Sequence, residues 1–568
     1  MKYLPRISYV PRIFASMNQV PGFFMGILPI LLTILSGCAS IAPPMGGEKD
    51  QTPPQIVSVD PPQKSMQLQA DDKIIIRFDE YIEARGLSNA LYSSPPLKRT
   101  PEVTVNPKSV EIALDTPLLD STTYTLYLGN GISDFREGNA IDNYAYVFST
   151  GPRVDSARFE GRVVDLLTES TPEKPLFVLA YLASNDTGIT TQKPRYLAKT
   201  HQDGSFELGH LRSASYRVYV INDQNGNLHW DEGERISFSP EPIRARADTV
   251  FPLVFSLFQP VPRETSLLDY KLEHQGKVKL YFNKRLKNFR FSPASDTVPT
   301  PVYQVYKHPN QDTISIWFDQ PLDTATPFLI QANDSLQDTL ILDPTFADSA
   351  QTPRRTLSMN QPIPSQFKWY KGRRGRRALT LTFKNPVFWD STAVIRQYRD
   401  TVTLDTLTIE ATALPHHLRL PLPEPETSYM VELPDSMFFD AYGNYVKSKY
   451  RINVSPADPS EYAVLGLDIA LPEDDAFIIQ LLSEDGKTVR ERVHPENGLF
   501  RWTYLKPGSY RIRTILDRNQ NGFWDGGVFE RRELPEAVRH HGKTIQLRAN
   551  WEVLEVPIRW LQNQPSAQ

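Results

Sequence analysis

Short stretches of this chain alternate apolar and polar residues with a period of two. In 73–78, and again in 110–114, isoleucine, valine, leucine or phenylalanine occupies every second position. This alternation predicts β-strands with one buried face. Such stretches recur about every 8 to 12 residues, and no segment keeps a helical period. The pattern therefore predicts an all-β fold of the sandwich class.

Two kinds of internal repeat divide the chain into modules. The segment 110–126 recurs at 314–330 with the same core-facing positions and the same Asp-x-Pro-Leu turn, and a looser copy covers 379–431. A second kind of repeat aligns 204–233 on 498–527 without gaps. Because self-similarity at a fixed offset marks copied folding units, we expect at least two types of β-module.

The N-terminus has the pattern of an export signal. Basic residues precede an apolar run at 22–35, which ends on Ser36 and Gly37 before Cys38. This ending resembles a lipobox, and the resemblance implies that Cys38 is acylated after cleavage of 1–37. Acyl chains would then hold the protein on a lipid bilayer. The alternative is an ordinary cleaved signal followed by an incidental cysteine.

Composition limits the possible partners and the ways in which the modules can be stabilised. Cys38 is the only cysteine, so the mature chain forms no internal disulfide and each module depends on its own core. The formal net charge of −4 becomes more negative once Lys2, Arg6 and Arg12 leave with the signal peptide. A mildly acidic chain provides no general basic field, so we expect no nucleic-acid partner.

Two family resemblances follow from particular segments. The opening Pro-Pro-Gln-Ile-Val at 53–57, the Phe-Asp-Glu at 78–80 and the closing strand at 144–149 resemble a bacterial Ig-like domain of the S-layer-protein type, as found in bacteroidete-type lipoproteins. The segments 161–164 and 204–211 resemble transthyretin-like, carboxypeptidase-regulatory β-sandwiches. These resemblances imply a fold and an envelope location, at the outer membrane, and they imply no reaction.

The predicted fold class is therefore all-β, with tandem Ig-like and transthyretin-like β-sandwich domains after a lipoprotein signal peptide. The predicted segments are a signal peptide at 1–37, a lipidated cysteine and tether at 38–52, an Ig-like domain at 53–152, a transthyretin-like sandwich at 156–258, Ig-like sandwiches at 263–358 and 362–456, and a second transthyretin-like sandwich at 460–561.

Two acidic, amide-rich loops are candidate Ca²⁺ sites. The first places side-chain oxygens at positions 1, 3, 5, 9 and 12 of an EF-hand-like loop, which is the spacing that winds a chain around Ca²⁺. Its candidate ligands are Asp223, Asn225, Asn227, Asp231 and Glu234. It departs from the EF-hand pattern because position 6 is Leu228 instead of glycine and no flanking helix is predicted.

The second loop repeats the pattern with Asp517, Asn519, Asn521 and Asp525. It has Gly522 at position 6 but Val528 at position 12, where Glu530 is a possible substitute. The alternative for both loops is a solvated turn, because Asp and Asn cap turns without any metal.

Exposed aromatic and basic side chains are the other candidates for ligand contact. Trp230 and Trp524 flank the two loops and could stack on a sugar, or they could pack on their own sandwich. The segment 368–377 interleaves Trp369 with Arg373, Arg374 and other basic residues. It could bind anionic headgroups or acidic glycan, or it could be a solvated hairpin tip.

No enzyme motif is found, and the pairs His416-His417 and His540-His541 do not suit a site because neighbours on a strand point to opposite faces. Repeated Asp-Ser/Thr motifs resemble bacteroidete O-glycosylation acceptors, or they reflect strand-edge composition.

The leading hypothesis is a non-enzymatic, membrane-anchored scaffold or adhesion rod that contacts other envelope proteins. The alternatives are a glycan-binding accessory lipoprotein and an enzyme whose carboxylates assemble only in the fold.

Overall fold

The computed structural model of the chain describes residues 50–560, apart from 85, 185–187, 248–251, 275, 296–301, 334, 347–362, 371–377 and 401. Strands dominate this part of the chain, and its α-helices are two short ones, Leu87–Ala90 (α1) and Gly188–Thr191 (α2). Short 3-10 helices lie at Pro344–Phe346, Pro459–Glu461 and Phe529–Arg531. None of the described helices is long and apolar enough to span a bilayer. The all-β prediction is confirmed.

Several predictions concern residues outside the described part of the chain. The signal peptide at 1–37, the acylated Cys38 and the tether as far as 49 lie outside the described residues, and so do Arg373 and Arg374.

Module 1 is a β-sandwich. One sheet has the strand order β1-β2-β6-β5, a second has the order β4-β7-β9, and β3 pairs with β8. The inward faces of β2 and β6 meet Tyr124 and Phe148 of the second sheet in one core. Its strands are β1 (Ile56–Asp60), β2 (Lys73–Phe78), β3 (Ile82–Glu83), β4 (Tyr92–Ser94), β5 (Glu102–Asn106), β6 (Ser109–Ala113), β7 (Thr123–Gly129), β8 (Ser133–Asp134) and β9 (Tyr144–Ser149).

Module 2 pairs its first and last strands in parallel. One sheet has the order β13-β10-β17, and the other has β12-β11-β14-β15 with β16 also on β14. A Cβ atom at Gly161 would lie 2.1 Å from the carbonyl oxygen of Leu253, so only glycine allows this close approach. Its strands are β10 (Ala157–Asp165), β11 (Phe177–Leu182), β12 (Tyr196–Lys199), β13 (Ser205–Leu211), β14 (Ser215–Ile221), β15 (Ile236–Phe238), β16 (Ile243–Arg244) and β17 (Pro252–Leu257).

Module 3 is a sandwich of a sheet with order β18-β19-β22-β21 and a sheet with order β20-β23-β24. Rings of Phe291, Phe318 and Phe328 fill its core. Its strands are β18 (Leu267–His274), β19 (Lys277–Phe282), β20 (Phe289–Pro293), β21 (Tyr303–Lys307), β22 (Thr313–Phe318), β23 (Thr326–Ala332) and β24 (Leu336–Leu342).

Module 4 has a sheet of order β25-β34-β32-β28-β29, a sheet of order β26-β31-β30, and the pair β27-β33. These sheets share one core that includes Trp369, Phe383 and Phe438. Its strands are β25 (Gln366–Trp369), β26 (Ala378–Thr382), β27 (Val387–Trp389), β28 (Ile395–Arg399), β29 (Val402–Leu407), β30 (Glu410–Ala411), β31 (His417–Pro421), β32 (Tyr429–Leu433), β33 (Phe438–Asp440) and β34 (Tyr450–Pro456).

Module 5 repeats the topology of module 2. Its sheets have the orders β38-β35-β41 and β37-β36-β39-β40, and its first and last strands are again parallel neighbours. The aligned repeats therefore share strand order as well as sequence. Its strands are β35 (Ala463–Ala470), β36 (Phe477–Ser483), β37 (Thr488–Val493), β38 (Gly498–Leu505), β39 (Gly508–Leu516), β40 (Val538–Leu547) and β41 (Glu552–Arg559).

The modules do not form the extended rod that the sequence suggests. The Arg513 guanidinium of module 5 donates to the Leu167 carbonyl of module 2 at 2.6 Å, although 346 positions separate the two residues. His540 Nε2 lies 3.2 Å from the Leu166 carbonyl oxygen. The chain therefore turns back so that modules 2 and 5 are in contact. The rod prediction was wrong because a repeat pattern contains no information on how modules pack together.

Candidate functional site

The first candidate Ca²⁺ loop connects β14 to β15, and Asp223 holds it closed. Asp223 Oδ1 accepts from the Gly226 amide at 2.7 Å, and Oδ2 accepts from the Leu228 amide at 2.9 Å. An Asp that caps nearby backbone amides in this way stabilises a turn. The loop is thus ordered by its own first residue.

Three side chains of this loop converge on one point. The amide nitrogens of Asn225 and Asn227 both donate to Asp231 Oδ2, at 2.7 and 2.8 Å. Glu234 is buried, and its carboxylate accepts from the Gln224 amide at 2.8 Å and the Asp231 amide at 3.3 Å. The side chains at positions 3, 5 and 9 therefore contact one another, whereas those at positions 1 and 12 accept from backbone amides of the loop.

Leu228 takes the backbone conformation that glycine takes in the second loop. Its φ is 61°, and the φ of Gly522 at the equivalent position is 78°. A left-handed conformation costs a non-glycine residue about 1 kcal/mol or more. The absence of glycine at position 6 thus leaves the loop geometry unchanged and adds local strain.

The second loop has the same internal geometry. Both Asn519 and Asn521 donate from their side-chain nitrogens to Asp525 Oδ2, each at 2.6 Å. The fully buried Asp517 accepts from the amides of Asn521 at 3.1 Å and Gly522 at 2.7 Å. The two loops therefore close through equivalent hydrogen bonds.

Glu536, and not Glu530, occupies the place that Glu234 has in the first loop. Its carboxylate accepts from the Arg518 amide at 2.7 Å and the Asp525 amide at 3.0 Å, whereas Glu530 is exposed. Burial, followed by the charges of Asp525 and Asp517, raises the pKa of Glu536. Each glutamate lies two residues before the next strand, so counting back from that strand would have identified Glu536.

One contact distinguishes the second loop. His494 Nε2 lies 2.8 Å from Asp517 Oδ2, and the position of His494 lies outside the loop itself. The imidazole is a third hydrogen-bonding group on a carboxylate that already accepts two backbone amides. Asp517 thus contacts a residue outside the loop as well as two amides within it.

The residues of both loops are compatible with Ca²⁺, although they also close without it. Each loop contains three carboxylates, those of Asp223, Asp231 and Glu234 in the first and those of Asp517, Asp525 and Glu536 in the second. Rotating an Asn amide by 180° exchanges its nitrogen for an oxygen, which would give a hard cation further ligands. Among the described residues, no group of three or more His, Cys, Asp or Glu side chains is arranged around a metal position.

Two of the three candidate tryptophans are not presented to solvent. Trp230 and Trp369 are buried, and Trp524 is half-buried. Trp230 Nε1 donates to the Glu234 carbonyl and Trp524 Nε1 donates to the Glu536 carbonyl, both at 3.0 Å. Trp369 lies in the core of module 4. For Trp230 and Trp369, burial favours the alternative of packing over ligand contact, whereas ligand contact by Trp524 stays a prediction.

An insertion in the second loop carries an aromatic anchor into module 2. The segment 526–535 lies between Asp525 and Glu536, and its Phe529 ring sits 4.3 Å from the Trp230 ring, centroid to centroid. Tyr219 and Phe238 also contact Phe529, at 6.3 and 6.0 Å. A separate hydrophobic cluster thus forms between the two repeated modules.

Polar contacts fix the same junction to module 3. Arg285 donates to the Trp524 carbonyl at 3.1 Å, and its guanidinium lies 4.5 Å from the Phe523 ring centroid. The Val261 amide, just before module 3, donates to the Gly527 carbonyl at 2.9 Å. The second loop therefore lies where modules 2, 3 and 5 meet.

A cleft of about 500 Å³ lies between modules 2 and 5. Thr168 and Glu169 line it from module 2, and Glu484 and Asp485 line it from module 5. Both walls are exposed, and each carries acidic groups beside an arginine. The cleft is a boundary between modules with no enclosed interior.

One of the two histidine pairs differs from the expectation that neighbouring rings separate. The rings of His416 and His417 are 4.2 Å apart. His416 is buried against Tyr306 and Trp317 at the contact between modules 3 and 4, and its Nδ1 has no hydrogen-bond partner in the described part of the chain. His416 precedes β31, where strand alternation does not apply.

Comparisons with solved structures find distant similarity. The surface layer protein SbsC, domains 1–6, is 10% identical with a TM-score of 0.15, over 89% of this chain and 68% of that chain. The Bacillus anthracis TIE protein is 10% identical with a TM-score of 0.13, over 90% and 75%. The Bacillus cereus major pilin subunit BcpA is 11% identical with a TM-score of 0.13, over 71% and 99%. Similarity at this level supports no inference about function.

Comparisons at the level of sequence concern one module. No curated protein matches the chain. Residues 50–150 match the family model of a bacterial Ig-like domain, and they enclose all strands of module 1. This match confirms the Ig-like part of the predicted fold class.

Proposed function

We propose that this protein is a non-enzymatic scaffold of the bacterial envelope, anchored on the outer membrane through acylated Cys38. The junction between modules 2 and 5 is the observation that carries the proposal. Aromatic anchoring by Phe529 and the polar contacts of Arg513 and Arg285 hold distant modules in fixed positions. A fixed multi-module body suits a protein that places binding surfaces at set distances from a membrane.

The sequence supports the anchoring half of the proposal. Cys38 is the sole cysteine and follows an apolar run that ends on small residues. Two or more acyl chains give stable membrane attachment, at about 0.8 kcal/mol per buried CH₂. Modules 2 and 5, with their shared topology, belong in this proposal to the transthyretin-like type.

The two acidic loops bind one Ca²⁺ each in this proposal. Each loop contains three carboxylates, and the asparagine amides that now donate to Asp231 and Asp525 can turn their oxygens inward. Asp525 lies in the second loop, which contacts Arg285 of module 3, so a cation there would stiffen the junction. Ca²⁺ therefore serves a structural role, as in extracellular modules.

Metabolic labelling tests the anchor. Cells that express the full chain are supplied with a palmitate analogue, and Cys38→Ser is compared with Ser36→Ala, which changes a neighbouring residue and keeps the thiol. We expect label on the wild type and on Ser36→Ala, and none on Cys38→Ser. Equal label on all three chains would contradict the anchor.

Glycan binding is the second candidate, and a different set of aromatics favours it. Phe388 and Phe439 are 47% and 40% exposed, and their rings stack 5.9 Å apart on module 4. Exposed aromatic faces can stack on sugars. A glycan array with the wild type and Phe388→Ala tests this candidate. Binding by the wild type that Phe388→Ala loses would support glycan binding. If the wild type binds no glycan on the array, the sampled glycans are excluded as ligands.

A further inference from the structure

Two neighbouring aromatic rings project from module 1 into solvent. The side chains of Tyr81 and Phe135 are 63% and 65% exposed. They lie across from one another at the end of the β3-β8 pair, where the Phe135 amide donates to the Tyr81 carbonyl at 3.0 Å. Two large rings on one small surface need an explanation, because single exposed apolar residues are common but adjacent aromatics mark contact sites.

The pair lies where the chain enters module 1. Asn139 Nδ2 donates to the carbonyl oxygens of Asp50 at 3.0 Å and Thr52 at 3.3 Å. Asn139 closes the turn that begins at Asp134 and contains Phe135. Twelve residue steps separate Asp50 from Cys38, so the acylated residue reaches at most about 40 Å from this point.

We propose that Tyr81 and Phe135 are a membrane-docking pair that inserts into the interfacial layer of the bilayer that carries Cys38. This inference rests on the anchoring proposed above. Aromatic rings favour the boundary between headgroups and acyl chains, and Tyr keeps its hydroxyl in the hydrated layer. The tether raises the local concentration of lipid around the pair, so a weak contact is sufficient.

The charges around the pair determine which lipid suits it. The chain bears a group of carboxylates on this surface, namely those of Asp50, Asp79, Glu80, Asp134 and Glu137. Burial, followed by the charges of these neighbours, raises the pKa of Glu80. The Lys108 ammonium lies 5.3 Å from the Tyr81 ring centroid and donates to the Asp79 carbonyl. An acidic rim repels anionic lipid, so docking should favour zwitterionic headgroups.

Chemical coupling makes the test independent of acylation in cells. The mature chain is joined through the thiol of Cys38, its only cysteine, to a maleimide lipid in phosphatidylcholine vesicles. Phe135→Trp adds a tryptophan at the pair, and brominated acyl chains quench tryptophan that reaches them. Leu268→Trp, at a module 3 position whose side chain is 67% exposed, is the matched control.

We expect brominated lipid to remove most of the emission that Phe135→Trp adds and little of that added by Leu268→Trp. Adding Tyr81→Ser to Phe135→Trp should weaken the quenching, and so should replacement of part of the phosphatidylcholine by phosphatidylglycerol at low salt. Equal quenching of the two tryptophan variants would overturn the docking pair and leave the acylation of Cys38 unaffected. Stronger quenching on anionic vesicles would also overturn it. A concentration-dependent shift of the Phe135→Trp emission without vesicles would assign the surface to self-association instead.

Discussion

Asp231 is the residue on which the two asparagine amides of the first loop converge, and it provides a direct test of the Ca²⁺ proposal. Millimolar Ca²⁺ should raise the melting temperature of the mature chain by a few degrees, because a ligand that binds only the folded state stabilises it. Mg²⁺ should do much less, since it requires a tighter octahedron. Asp231→Asn should reduce the Ca²⁺ shift, as it removes the carboxylate that both asparagine side chains contact.

Glu232→Gln is the matched control for Asp231→Asn, because it removes the same charge from an exposed neighbour in the same loop. It should leave the Ca²⁺ shift intact. If the melting temperature of the wild type responds to neither Ca²⁺ nor a chelator, the Ca²⁺ proposal is contradicted and the two loops are turns closed by their own hydrogen bonds. Asp223→Ala is a less suitable test variant, since Asp223 accepts two backbone amides and its loss would disturb the turn itself.

His416 should make the chain less stable in mild acid. Burial, followed by the charges of His417, Lys277 and His308, lowers the pKa of His416 to about 4. The unfolded value is about 6.5, so the unfolded chain takes up a proton between these values that the folded chain does not. Stability is therefore full above about pH 6.5 and falls as the pH drops toward 4.

Urea unfolding at pH 7 and pH 5 measures this effect. The midpoint should be lower at pH 5, and His416→Phe, which keeps a ring of similar size, should reduce the difference. His541, whose pKa burial also lowers to about 4, should account for part of the remainder. Substitution of the exposed His201 by Gln should leave the difference unchanged. An unaltered pH dependence in His416→Phe would show that this imidazole does not titrate as proposed.

At the scale of elements, the segment 526–535, which contains the insertion, should hold modules 2 and 5 together. Truncation of a fully buried Phe costs about 3 to 5 kcal/mol, and Phe529 is partly buried, so Phe529→Ala should cost at most about 3 kcal/mol. Glu530→Ala, an exposed change on the same turn, should stay within about 0.5 kcal/mol. Equal unfolding free energies for the two variants would show that Phe529 does not stabilise the contact between modules 2 and 5.

The same segment shows what the sequence could and could not predict. The strand pattern and the repeats predict the β class, the equivalence of the two loops and the convergence of Asp231 with Asn225 and Asn227. The repeat alignment fails at position 12 because the insertion moves Glu536 beyond the aligned block. It also cannot separate an aromatic that fills its own core from one that enters another module, as Phe529 does.

At the scale of the whole molecule, order along the chain and order in space differ. The repeats predict a line of modules, but module 5 contacts module 2 through residues such as Arg513 and Phe529. The identity of these residues does not show in the sequence that they lie between modules. Hydrophobic periodicity defines the inward face of each sandwich, but contacts between modules depend on shape and on single hydrogen bonds. Independent folding of 460–561 remains a prediction, because Phe529 places part of that module's apolar surface in a shared cluster.

The distance between modules 2 and 5 tests the scaffold most directly. Glu169 and Glu484 line opposite walls of the cleft between these modules, and both are exposed. Spin labels are placed through Glu169→Cys and Glu484→Cys in the mature chain that carries Cys38→Ser, and double electron-electron resonance measures their separation. A closed scaffold predicts one narrow population at short distance, which Phe529→Ala should broaden. A broad population at long distance in the chain that retains Phe529 would show a flexible line of modules and contradict the account.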